Sequence, residues 1–146
     1  MMTKLLLTSM LAGAILVGTL ITETQADRRC KLADLEGAWG FTLTGVVTEA
    51  VKTGPVAANG QFAADRHGNL AGSDTMSFNG IIVPRSWTAI ASVDPDCSGS
   101  LTVTIVSPAN VFPTLHVNFA FVEREGEFRF IETDAGTVIT GSAHKL

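Results

Sequence analysis

Leu115-His116-Val117-Asn118-Phe119-Ala120-Phe121-Val122-Glu123, a charged Arg124-Glu125-Gly126 link, and Glu127-Phe128-Arg129-Phe130-Ile131-Glu132 are the stretch on which the fold turns. Successive side chains of a β-strand point to opposite faces. One face of 115–123 therefore carries Leu115, Val117, Phe119 and Phe121, and the other His116, Asn118, Ala120 and Val122. In 127–132, Phe128 and Phe130 oppose Arg129 and Ile131. Two runs of period two joined by a short Gly-containing link are a β-hairpin signal.

The same pattern continues outward. It predicts strands over 39–47, 56–64, 70–78, 81–93, 100–106, 115–123, 127–132 and 137–143, with one helical turn near 30–36. Asp65-Arg66-His67-Gly68-Asn69 places Gly68 for a left-handed turn position, and Asn79-Gly80 is a two-residue hairpin signal, since both residues tolerate positive φ. Asp94-Pro95-Asp96-Cys97-Ser98-Gly99 reads as a Pro-initiated turn with Cys97 at its tip. Eight short-linked antiparallel strands predict an all-β, up-and-down barrel, because closure removes exposed strand edges. A two-sheet β-sandwich uses similar strands and is the alternative. In 39–47, Trp39, Phe41, Leu43 and Val47 share a face, so the bulky faces are expected to form the core. A mixed-polarity face pointing into the lumen is the other arrangement.

The first 26 residues read as an address. Lys4 precedes an uncharged run, 5–21, and Thr24-Gln25-Ala26 ends it, the layout of a bacterial secretory signal peptide. The run also approaches the length of a spanning helix, so an uncleaved anchor is the second reading. Cleavage leaves 27–146 as one exported domain, periplasmic or secreted, with no stable membrane span. Those 120 residues carry 9 Lys and Arg against 13 Asp and Glu; the net charge stays at −4 because Lys4 and Glu23 cancel. Such a chain is too short for a multidomain enzyme, too acidic for a nucleic-acid binder, and lacks the spans of a polytopic membrane protein. Export makes a Cys30–Cys97 disulfide the expectation and two free thiols the alternative. No metal site is expected, since neither Cys has a ligand at zinc spacing and His67, His116 and His144 are scattered. No cofactor motif is present, and a homodimer is compatible with a small barrel.

Two resemblances add to this reading. Leu35-Glu36-Gly37-Ala38-Trp39 resembles the opening Gly-x-Trp of lipocalins and other calycins. That likeness implies a structural Trp39 on the barrel floor beneath a late-strand arginine, Arg129 or, less well placed, Arg124. More broadly, residues 37–44 and 62–80, Pro95-Asp96-Cys97-Ser98-Gly99 and the segment 128–141 resemble a family of small exported bacterial β-barrel proteins. The pattern is similar in layout to the allene oxide cyclase-like barrels, which include cyclising enzymes; no catalytic motif of those enzymes can be matched.

The nucleophile elbow, phosphate loop, dinucleotide fingerprint and zincin helix are all absent. His116, near Asn118 on one face, is a candidate proton carrier or a surface histidine. Asp74 shares its face with Leu70, Gly72, Met76 and Phe78, and is a candidate catalytic acid if buried there or a solvated strand carboxylate otherwise. Arg85 and Trp87, on one face of 81–93, are candidate ligand-binding residues or simply a packed Trp beside an exposed Arg. Glu123, Glu125 and Glu127 read as a solvated hairpin tip. Three functions follow: a barrel that binds a small, mostly apolar molecule in its lumen, a cyclase or isomerase, or an envelope structural or interaction protein with a filled lumen.

Overall fold

A computed structural model of the chain describes residues 29–49, 52–110, 113–123 and 126–146. The leader expected at 1–26 and Arg124 lie outside the described residues. A short 3-10 helix, Leu32–Leu35, precedes eight strands: β1 Gly37–Glu49, β2 Lys52–Ala64, β3 Asn69–Phe78, β4 Ile81–Val93, β5 Ser98–Ser107, β6 Leu115–Glu123, β7 Glu127–Glu132 and β8 Thr137–Lys145. Each strand pairs antiparallel with the next in sequence, and β8 returns to β1, so the sheet is a closed up-and-down barrel. The sandwich alternative is thereby excluded. Every strand has two hydrogen-bonded neighbours, and the unpaired edge is confined to strand ends such as 52–55 of β2, 81–85 of β4 and 104–107 of β5.

Local sequence explains the register. Asn79 and Gly80 have φ of 49° and 84°, so the β3–β4 hairpin turns in two residues and sets Phe78 opposite Ile81. Cys97 has φ 72° at the tip of the β4–β5 turn, as its place after Pro95-Asp96 suggested. β2 begins earlier than the alternation indicated, running through Gly54-Pro55. Pro55 is tolerated because β3 has already ended opposite Val56, leaving no ladder partner to miss the absent N–H. The Pro55 carbonyl still accepts from the Asn79 N–H at 2.9 Å.

The bulky faces point inward. Trp39, Phe62, Trp87, Phe119 and Phe128 are buried in one aromatic cluster, while the mixed-polarity faces are solvated. The large apolar side chains on the outside are mostly β-branched, among them Ile81, Ile82 and Ile90 on β4 and the cross-strand pair Val46 and Val138.

One end of the barrel is a floor. There the 3-10 helix folds under the strands, and Leu35 and Trp39 are completely buried. Trp39 Nε1 donates to the Leu35 carbonyl at 2.7 Å, and the Trp39 ring packs on Phe128 with centroids 5.2 Å apart. A Cys30–Cys97 disulfide ties this segment to the β4–β5 turn, helped by the Cys30 N–H donating to the Pro95 carbonyl. The cation over Trp39 is Lys145, with Nζ 5.5 Å from the ring centroid. Arg129, proposed for that place, lies on the outer face of β7 beside Glu127, because its parity in the strand is opposite to that of Phe128. Among the described residues, the other end of the barrel is open.

Candidate functional site

The lumen above the aromatic floor holds two adjoining chambers. The inner one, of about 80 Å³, is walled by side chains such as Phe41, Phe62, Leu101, Val117 and Phe130. The outer one, of about 150 Å³, opens at the mouth between Val47, Val56, Met76 and Phe78. Leu43, Arg85, Leu115, Glu132 and Ile139 line both and form a waist between them. Even jointly the chambers fall below the roughly 300 Å³ at the small end of ordinary ligand pockets.

A polar cluster interrupts the apolar wall. Asp74 on β3 stands directly opposite Arg85 on β4, a consequence of the two-residue turn that joins the strands. Arg85 Nε donates to Asp74 Oδ1 at 2.8 Å and its terminal nitrogen to Oδ2 at 3.0 Å, a bidentate pair. Trp87 Nε1 donates to the same Oδ2 at 3.1 Å. All three residues are over nine-tenths buried. Two inward glycines make the geometry possible. A Cβ on Gly72 would come 2.7 Å from the Trp87 ring, and one on Gly60 would come 2.6 Å from the Asp74 Cβ. The structure thus brings Asp74, Arg85 and Trp87 together in the lumen. Arg85 is an inward, buried partner of Asp74, which the pairing of a packed Trp with an exposed Arg did not allow for.

His116 belongs elsewhere. It lies on the outer face at the start of β6, more than half exposed, with Nδ1 2.8 Å from Asp134 Oδ1. Its backbone N–H donates to Asp134 Oδ2 at 2.7 Å, so this pair staples the β7–β8 loop to β6. Burial alone would raise the Asp134 pKa, but the hydrogen bonds from the His116 ring and backbone outweigh it and hold the carboxyl below its ordinary value.

Glu132 is the waist residue that sequence reasoning passed over. It shares the inward parity of Phe128 and Phe130, a signal visible in the alternation but hidden by its place at a strand end. Burial, then repulsion from Asp134, raises its pKa above the ordinary 4.5, while a Thr137 hydrogen bond and the Arg85 charge act in the opposite direction. A raised carboxyl pKa means that folding favours the protonated form. That contribution is present below the unfolded pKa and is lost as pH rises through the folded one. Ionised Glu132 therefore costs stability near neutrality. Glu132→Gln is expected to raise Tm at about pH 7 by on the order of one to two degrees, and to leave it unchanged near pH 4. Equal shifts at both pH values in thermal melts would refute this assignment. A carboxylate held against its electrostatic preference inside a cavity marks a candidate site.

Among the described residues no helix is long and apolar enough to cross a membrane, and no group of His, Cys, Asp and Glu is arranged to hold a metal ion. No protein-family model and no curated protein matches the chain. Solved structures do match in fold. A redesigned β-barrel, mFAP1, bound to DFHBI, is 19% identical with a TM-score of 0.59, covering 79% of this chain and 98% of its own. Another redesigned β-barrel, b11L5F_LGL, is 19% identical with a TM-score of 0.53, covering 80% and 95%. EF1p2_mFAP2b bound to DFHBI is 14% identical with a TM-score of 0.54, covering 82% and 98%. At these identities the likeness is one of fold alone, that of a closed β-barrel.

Proposed function

We propose that the protein is an exported barrel that binds one small, mostly apolar molecule in its lumen. A single observation carries the reading: a mostly apolar tube, sealed below by Trp39 and Leu35, opens at the far end, and the only charges lining its inner chamber among the described residues are Asp74 and, at the waist, Arg85 and Glu132. Apolar walls with a few placed polar groups are the usual composition of a small-molecule site. Two barrels of similar fold are bound to DFHBI, which supports the capacity of such an architecture to hold a ligand. Export rests on the leader-like segment and is supported by the Cys30–Cys97 disulfide, which suits an oxidising compartment.

A cyclase or isomerase is the second reading, favoured by the burial of Asp74 and Arg85 at the lumen. Against it, Asp74 already accepts three hydrogen bonds on its two oxygens, so it serves as an anchor for Arg85 and Trp87 rather than as a waiting base. The modest chamber volumes favour a compact ligand. Native mass spectrometry of the purified exported protein tests the reading. We expect an adduct of a few hundred daltons at most, retained from the cell or acquired from cell extract. A bare protein mass under both conditions would leave the lumen a filled core and the protein a structural or interaction module.

A further inference from the structure

We propose that the ligand is a small apolar amine, seated with its hydrocarbon in the inner chamber and its ammonium at the waist against Glu132. This deepens the lumen-carrier reading and rests on it.

Shape sets the first part of the inference. Apart from the mutually hydrogen-bonded Asp74, Arg85 and Trp87, the wall from Phe62 and Phe128 at the floor to Leu43 and Ile139 at the waist is apolar, so a hydrocarbon gains by burial along most of the tube. Besides Asp74, which is held by Arg85 and Trp87, the charged side chains lie at the waist, Arg85 and Glu132, or towards the mouth, Glu49, Lys52 and Asp134. An occupant with one apolar end and one polar end matches that gradient in a single orientation.

Charge sets the second part. Among the described residues lining the two chambers, the acids are Asp74, Glu132, Glu49 and Asp134, and the bases are Arg85 and Lys52. The guanidinium of Arg85 is directed at Asp74 by two hydrogen bonds, and Asp134 is engaged with His116 on the outer face. Glu132 lines both chambers, faces Asp134 from its own loop, Arg85 from β4, Glu49 from β1 and Thr137 from β8. A second anion brought to this waist would add to an existing excess of negative charge. A cation would offset that excess and give the half-buried Glu132 carboxylate a charged donor, the strong class of hydrogen bond. The site therefore discriminates by the sign of the head group, against fatty acids and for amines.

Three probes of equal chain length separate these terms: octylamine, octanol and octanoate, titrated calorimetrically into the full exported protein. We expect octylamine to bind about tenfold or more tightly than octanol, with octanoate weakest, from the worth of a hydrogen bond between charged groups. Glu132→Gln is expected to bring octylamine within about threefold of octanol. The amine preference is expected to shrink from about pH 7 to about pH 4 as Glu132 takes up a proton. Should Glu132→Gln fail to fold, Glu49→Gln at the exposed rim is expected to reduce the preference about twofold. If octanol binds as tightly as octylamine, or octanoate more tightly, the head-group inference falls and the carrier reading stands. Binding of none of the three overturns both. A preference that survives in every folded variant also overturns the assignment to Glu132.

Discussion

Asp74→Ala is expected to cost the protein about 3–5 kcal/mol of stability, seen as a fall in the denaturant midpoint at constant slope. The magnitude comes from what remains. Without the carboxylate, the Arg85 guanidinium is left charged in a site that is over nine-tenths buried, and Trp87 loses the acceptor of its indole N–H. A folded domain of this size is stable by only about 5–15 kcal/mol, so the variant approaches the limit of folding. Removing both charges should be far milder. Asp74→Leu combined with Arg85→Met fills the same space with apolar groups, and is expected to lie within about 1–2 kcal/mol of the parent, because desolvation of the pair offsets much of its attraction. A single-variant loss below about 1 kcal/mol would show that water reaches the pair.

The second large effect concerns the floor. Cys30→Ser with Cys97→Ser is expected to cost up to roughly 4 kcal/mol in the chain-entropy treatment, given a sequence separation of 67 between the cysteines. Part of the effect is local. The bond holds the 3-10 helix against the β4–β5 turn, and that helix supplies Leu35, whose carbonyl receives the Trp39 indole N–H. Loosening it therefore opens the sealed end as well as enlarging the unfolded ensemble. Thermal melts with and without reductant check this. The parent is expected to drop towards the double variant on reduction, and the double variant is expected to be indifferent to it. A reductant-insensitive parent would contradict the assignment.

Much of the architecture was legible in the sequence because alternation carries it directly. The Phe119–Phe121 and Phe128–Phe130 runs gave the inward faces, and the eight expected strands differ from the observed ones mainly at their ends. The central pair was also implicit: counting outward from a two-residue turn at Asn79-Gly80 sets Asp74 against Arg85. What alternation does not encode is the distance across the lumen. Nothing local to Trp39 indicates that Lys145, from the far end of the chain, covers its ring, since that contact exists only once β8 has closed on β1. His116 and Asp134 likewise meet through the β7–β8 loop, and the choice of outer or inner face for His116 depended on which set of side chains the closed barrel took inside. Glu132 was missed for a different reason. A carboxylate at a strand end reads as solvated by default, and only the packing around the waist makes it half-buried.

Closure of β8 on β1 has a further consequence. Trp39 pairs with Lys145, and the Leu146 N–H donates to the Ala38 carbonyl, so the first and last strands end side by side at the sealed pole. Cys30, tied to Cys97, and Leu146 therefore both lie at the pole opposite the opening. A fusion partner joined after Leu146 is expected to start from the sealed pole, away from the entrance between Val47, Val56, Met76 and Phe78.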